Sequence, residues 1–184
     1  MHDNIVTYSG IVFSMTHPRT EDVRIEDIAH HLSMICRYTG AVRRFYSVAQ
    51  HSCYVSHNCH PDHALEGLLH DATEAYITDI SGPLKRTAYM SGYRELERIH
   101  YRNICNAFGL SYEFHPSVKE ADTRMYYTET RDLMPQLDCT EHTDNNGIRY
   151  ISSDADPYDF RIETRGPAVS EELFLRRFRE LTQP

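Results

Sequence analysis

The chain has 184 residues, 40% of them hydrophobic, and a formal net charge of −8. That length fits one domain spanning residues 1–184, and the composition excludes a disordered chain. The acidic balance argues against a stable complex with duplex nucleic acid or an anionic membrane, while short basic spots such as Arg43–Arg44, Lys85–Arg86 and Arg176–Arg177 leave room for a small anionic ligand.

In chain order, residues 1–20 alternate loosely ("NIVTYSGIVF"), which predicts one or two short strands or an extended arm. "MHDNIVTYSG" lacks the basic-then-apolar order of a signal peptide. From Ile25 the period changes: Ile25, Ile28, Ala29, Leu32, Ile35 and Cys36 mark one face of a helix, with Gly40 beyond its end. "SVAQ" at Ser47 reads as a capping box opening a second helix, with Gln50 reciprocating. Pro61 separates it from a helix predicted over 63–76, where Leu65, Leu68, Leu69, Ala72 and Tyr76 form the apolar stripe. "SGP" after Asp79 is expected to stop that helix. A longer helix is predicted over 89–108, with Gly109 at its C′ position. "SVKE" at Ser117 reads as a second capping box, opening a helix to about Leu133. Residues 138–160 are acidic and carry the Asn146-Gly147 turn signal, so a loop or small hairpin is expected there. A final helix is predicted at about 170–181. No run approaches the ~18 apolar residues of a membrane span. The whole reads as a mainly α-helical domain.

"LLHDATEAYITDISGPLK" packs His70, Asp71, Glu74 and Asp79 into ten residues of an otherwise apolar segment. On a helix, His70 and Glu74 are neighbours at i, i+4, and Asp71 and Glu74 at i, i+3. Imidazole and carboxylate together suit a divalent ion such as Mn, Co, Fe, Ni or Zn. Two ligands do not make a site; His51 and Asp122, each early in a helix, are the candidates to complete it. Each residue also has a plainer reading. His51 fits a surface position near a helix start, His70-Asp71 a polar strip, and Asp122 a carboxylate favoured by the helix dipole. His57, His60 and His63 read as surface residues, and His30–His31 as structural. There is no Gly-rich phosphate loop. The five cysteines form no CxxC pair, which fits a reducing, cytoplasmic setting.

"H51 … H70-D71 … D122" resembles the metal signature of the HD-domain phosphohydrolase superfamily. "HDATEAYITDISGPLK" is similar to the corresponding stretch of the bacterial 5′-deoxynucleotidases of that superfamily. "DIAHHLSMICRYTGAVRRFYSVAQHS" and "KEADTRMYYTETRDLM" look more like the small phage HD hydrolases, which include enzymes cleaving dATP to deoxyadenosine and triphosphate. The resemblance covers about residues 7–134; residues 138–160 match nothing in it.

The resemblance implies an all-α, HD-domain helical bundle with a short N-terminal extended segment and a small C-terminal hairpin or loop. It assigns His51, His70, Asp71 and Asp122 to a divalent transition metal, Co, Mn, Zn, Fe or Ni. Glu74 and Asp79 become the catalytic acidic pair, Glu74 orienting and deprotonating the attacking water. Arg37-Tyr38 matches an arginine before an aromatic residue, giving a phosphate contact and a base or sugar contact; the deoxynucleotidases have Trp at the Tyr38 position. Lys85, Arg43 and Arg44 are candidate phosphate contacts, with Arg19 and Arg86 as further cations for a triphosphate. The preferred reaction is dNTP, with dATP foremost, to deoxynucleoside plus triphosphate. The alternatives are a 5′-deoxynucleotidase acting on dNMPs and a non-catalytic HD-like binding or regulatory module. Relatives of this kind form dimers or larger rings, so a homo-oligomer (dimer or hexamer) is expected, in the host cytoplasm if the chain is phage-encoded.

Overall fold

A computed structural model of the chain describes residues 3–135 and 156–183. Two short strands, β1 (Asn4–Val6) and β2 (Val12–Ser14), pair antiparallel with Ile5 opposite Phe13. Helices follow: α1 (Ile25–Met34), α2 (Val48–Asn58), α3 (Ala64–Leu69), α4 (Glu74–Ile77), α5 (Gly82–Lys85), α6 (Ser91–Phe108), α7 (Pro116–Leu133) and α8 (Pro167–Thr182). The described architecture is a helical bundle with a small two-stranded sheet at its N-terminal end. No helix among the described residues is long and apolar enough to cross a membrane.

α2 is the central element, in contact with α1, α3, α7 and α8. It is buried on most of its circumference, through Val48, Ala49, His51, Ser52, Val55 and Ser56 among others. Its small residues let neighbours approach closely, α3 among them. A Cβ on Gly67 would stand 2.8 Å from Cys59 Sγ and 3.2 Å from the Ser56 Cα, so any larger residue at that crossing must displace its neighbours. The main core lies between α1, α2, α3, α4 and α8 and includes Ile28, Leu32, Val48, Leu68, Leu69 and Phe174. Phe13 of β2 joins it by stacking on Tyr76, with ring centroids 4.1 Å apart. His31 ties the hairpin to the bundle: one ring nitrogen meets the Ala75 carbonyl at 2.7 Å, and the other accepts the Tyr8 amide at 3.1 Å.

Several boundaries depart from the sequence expectation, each for a local reason. Helix α1 stops at Met34 because Ile35 and Cys36 are extended, and Cys36 forms a bridge with Ser47. Ser47 does cap α2, its hydroxyl accepting the Gln50 amide at 3.1 Å. The Gln50 side chain does not reciprocate: it donates to the Glu163 carbonyl at 2.6 Å and accepts the Arg165 amide at 2.9 Å. The helix expected over 63–76 is broken. A 3₁₀ turn, Pro61–His63, precedes α3, and amide bonds from Ala72 to Leu69 and from Glu74 to Asp71 tighten the chain between α3 and α4. "SGP" starts a helical turn rather than ending one, since proline is tolerated in a first turn. The cap of α7 is His115 rather than Ser117, its ring accepting the Ser117 amide at 3.2 Å with Pro116 at the first helical position. Gly109 closes α6 at φ 68, as expected of a left-handed cap. The Asn146-Gly147 turn lies outside the described residues.

Gly67→Ala should force α2 and α3 apart. Overpacking of this kind costs about 1–3 kcal/mol, which chemical denaturation of the variant against the parent chain will measure.

Candidate metal centre

Two helices and one helix-to-helix turn converge on a small polar volume. α2 supplies His51, the tightened turn after α3 supplies His70 and Asp71, and α7 supplies Asp122. One ligand atom each from His51, His70 and Asp71 lies within 4.8 Å of the others. The two imidazole Nε2 atoms are 3.3 Å apart. Asp71 Oδ2 is 3.2 Å from His70 Nε2 and 3.6 Å from His51 Nε2. Asp122 Oδ1 closes on the same pair, at 3.1 Å from His51 and 3.8 Å from His70. Ligand atoms about 2.0–2.2 Å from a shared ion fall at such mutual separations.

The chemistry of the donors fits a divalent ion as well as the spacing does. The far nitrogen of each imidazole is already committed. His70 Nδ1 donates to the Gly67 carbonyl at 2.8 Å, and His51 Nδ1 to Glu129 Oε1 at 2.6 Å. Both Nε2 lone pairs are thereby turned into the cluster, an arrangement of backbone carbonyl or carboxylate behind imidazole that is typical of metal ligation. The surroundings ask for positive charge. Burial opposes a charge on His70, yet Asp71 and Asp122 outweigh it and raise its pKa well above the ordinary value. Burial likewise works against an ionised Asp122, but His51 and His70 hold its carboxyl well below the usual range.

Glu129, which sequence reasoning did not single out, stands behind this cluster. Its side chain is fully buried. It accepts from His51, from the Tyr46 hydroxyl at 2.9 Å, from the Tyr38 hydroxyl at 2.5 Å and from Arg37 Nε at 3.1 Å. Burial pushes its carboxyl up, but Arg37 and His51 prevail and bring its pKa down to about 2. Glu129 is seven residues from Asp122, two turns along α7, on the face that buries Val118, Ala121 and Met125. A carboxylate inside an apolar stripe was the available signal. Arg37 also reaches Asp71 Oδ2 at 3.3 Å, so one guanidinium spans both carboxylates. Tyr38 and Thr39 take left-handed backbone angles (φ 57 and 54), an unfavourable conformation for side-chain-bearing residues. That turn delivers Arg37 and Tyr38 to the cluster.

Glu74 lies beside it, buried, with Oε2 lacking a hydrogen-bond partner among the described residues. Burial, then the charges of Asp71 and Asp79, raise its pKa to about 8 against the pull of Lys85. Burial also raises Asp79. Lys85 bonds Glu74 Oε1 at 3.1 Å and Glu97 Oε1 at 2.8 Å, which places its ammonium between two carboxylates.

Two clefts open from the cluster and share Asp122. The larger, about 790 Å³, is lined by Arg37, Tyr38, Asp79, Arg86 and Tyr126 among others. Its Tyr38 and Tyr126 rings lie 6.3 Å apart. The smaller, about 380 Å³, runs between α6 and α7 past His70 and Asp71. Arg43 and Arg44 are exposed and line neither cleft. Arg19 is engaged by Asp22 at 2.7 Å and Glu21 at 3.5 Å, and also lines neither.

Fold and cluster together define an all-α protein with the capacity to hold a divalent metal. The chain is 36% identical over 179 residues to the uncharacterized protein YfdR of Escherichia coli strain K12, covering 97% of this chain and 96% of YfdR. It belongs to the YfdR family. An uncharacterized protein of Rhodobacter capsulatus is 34% identical over 122 residues, 61% of this chain and 62% of that one. No protein-family model matches the chain.

Glu129→Gln keeps the shape but removes the charge behind His51. Replacing such a supporting partner costs roughly 10–100-fold in metal affinity. Calorimetric titration with Mn²⁺ should show that loss with the helical circular dichroism unchanged; equal affinity in the two proteins would remove Glu129 from the site.

Proposed function

We propose that the protein is a metal-dependent phosphohydrolase of deoxynucleotides, of the HD-domain type its sequence resembles. The carrying observation is the His51–His70–Asp71 cluster, with both outer imidazole nitrogens locked, the smaller cleft opening onto it and the larger meeting it at Asp122. His51, His70, Asp71 and Asp122 hold the ion, which when bound acidifies water and polarises a phosphoryl oxygen.

The remaining work falls to side chains. Glu74, with a buried oxygen left without a hydrogen-bond partner among the described residues and a pKa raised to about 8, takes the proton of the attacking water. Lys85 holds Glu74 in place from behind. Arg37, fixed by Glu129 and Asp71, faces the larger cleft and balances charge on the phosphoryl oxygens. Tyr38 and Tyr126 give that cleft an aromatic wall for base or sugar, and its volume suits a small-molecule site. Water oxygen attacks the α-phosphorus and the bond to O5′ breaks. O5′ then leaves with a proton, giving deoxynucleoside and triphosphate. dATP is the preferred substrate, by resemblance to the phage enzymes.

One observation favours the alternative 5′-deoxynucleotidase reading. The cations lining the larger cleft are Arg37 and Arg86, few for a triphosphate, and Lys85 is already shared by two carboxylates. Both readings keep the same residues and differ in the phosphate chain.

The test is separation of nucleoside, phosphate and triphosphate after incubating Mn²⁺- or Co²⁺-loaded protein with each dNTP and dNMP. Triphosphate from a dNTP supports the lead reading, and phosphate from dNMPs alone supports the alternative. No turnover in any metal would overturn both and leave a binding module. His70→Ala should abolish metal binding and turnover together. Glu74→Gln should keep the metal and lose about 10²–10⁴ in kcat.

A further inference from the structure

We infer that the α6–α7 cleft is the seat of the substrate's phosphate chain, with Arg94, Arg98 and Lys119 as its cationic contacts. This rests on the deoxynucleotide reading. In phosphoryl transfer the attacking and leaving oxygens lie roughly in line, so the groups on the reacting phosphorus must leave the cluster in different directions. The two clefts sharing Asp122 provide those directions. The larger has the aromatic wall. The smaller contains His70 and Asp71 in its floor and the three cations on its sides.

Their placement follows from helix geometry. Arg94, Arg98 and Tyr101 sit at i, i+4 and i+7 on α6, which puts them on one face, toward the cleft. Lys119 and Asp122 are one turn apart on α7. Arg94 is anchored by Nη1, which donates to the Lys85 and Thr87 carbonyls at 2.5 and 2.8 Å. Its other nitrogens make no such bond among the described residues. Arg98 pairs with Glu95 at 2.5 Å, but both side chains are more than half exposed, and an exposed pair is broken at little cost. Lys119 has no ion pair among the described residues. The opposing carboxylate, Glu97, is a single charge against three cations and is itself hydrogen-bonded by Lys85 at 2.8 Å. The cleft is thus cationic away from the cluster, and a bound divalent ion adds to that. A monophosphate would leave Arg98 and Lys119 idle, whereas a polyphosphate would engage them.

The Arg98→Ala/Lys119→Ala double variant tests this, since both positions are exposed and lie outside the cluster. Inorganic tripolyphosphate and orthophosphate are titrated calorimetrically into parent and variant, with free Mn²⁺ in excess of both. Lost charge-assisted contacts should weaken tripolyphosphate about tenfold or more, while orthophosphate affinity stays where it was. Equal tripolyphosphate affinity in the two proteins would overturn the inference. Hydrolysis of dNTPs and dNMPs by the parent protein is measured alongside. Selective loss of tripolyphosphate binding without deoxynucleotide turnover upholds the subsite and refutes the substrate reading. Turnover with tripolyphosphate binding indifferent to the variant does the reverse.

Discussion

The carboxylate of Glu129 is the constraint on which the centre depends. A charge in a dry interior is tolerated only when it is paired and hydrogen-bonded. Here two tyrosine hydroxyls, an arginine and a histidine converge on its two oxygens. Those four donors come from the Arg37–Tyr38 turn, from Tyr46 just before α2, and from α2 itself. Satisfying Glu129 therefore fixes α7 against α2 and fixes the orientation of His51. It also holds Arg37 where a second contact, to Asp71, is within reach.

From that anchor the rest of the site is a matter of helix approach. Gly67 lets α3 close on α2, and its carbonyl then orients His70. The i to i−3 bonding that follows turns Asp71 toward the same point as His70. Asp122 arrives on the far side, on the helix that Glu129 already holds. The left-handed turn at Tyr38 and Thr39 is unfavourable by about 1–3 kcal/mol per residue. The Tyr38–Glu129 hydrogen bond and the Arg37 guanidinium, 5.2 Å above the Tyr38 ring, oppose that cost.

Much of this was legible in the sequence. Helical periodicity located α1, α6 and α8, and capping signals with the prolines beyond them located α2 and α7, each to within a few residues. The break between α3 and α4 was not legible, since Leu65, Leu68, Leu69, Ala72 and Tyr76 keep an unbroken apolar rhythm through it. His51, His70, Asp71 and Asp122 stood out as polar residues in apolar settings, and the structure draws them to one point. Glu129 obeyed the same rule but lay in a charged run, "TETRDL", that reads as a solvated helix end. The cations of the α6–α7 cleft belong to a helix whose outer face is rich in charge. Only the cleft between α6 and α7 distinguishes Arg94 and Arg98 from the other charged residues of that helix.

The central claim is that four side chains from three parts of the chain share one ion. Anomalous diffraction from crystals of the protein soaked in Mn²⁺ tests it most directly. The account predicts one strong peak within bonding distance of His51 Nε2, His70 Nε2, Asp71 and Asp122. A peak elsewhere, or none between the two imidazoles at saturating Mn²⁺, would contradict it.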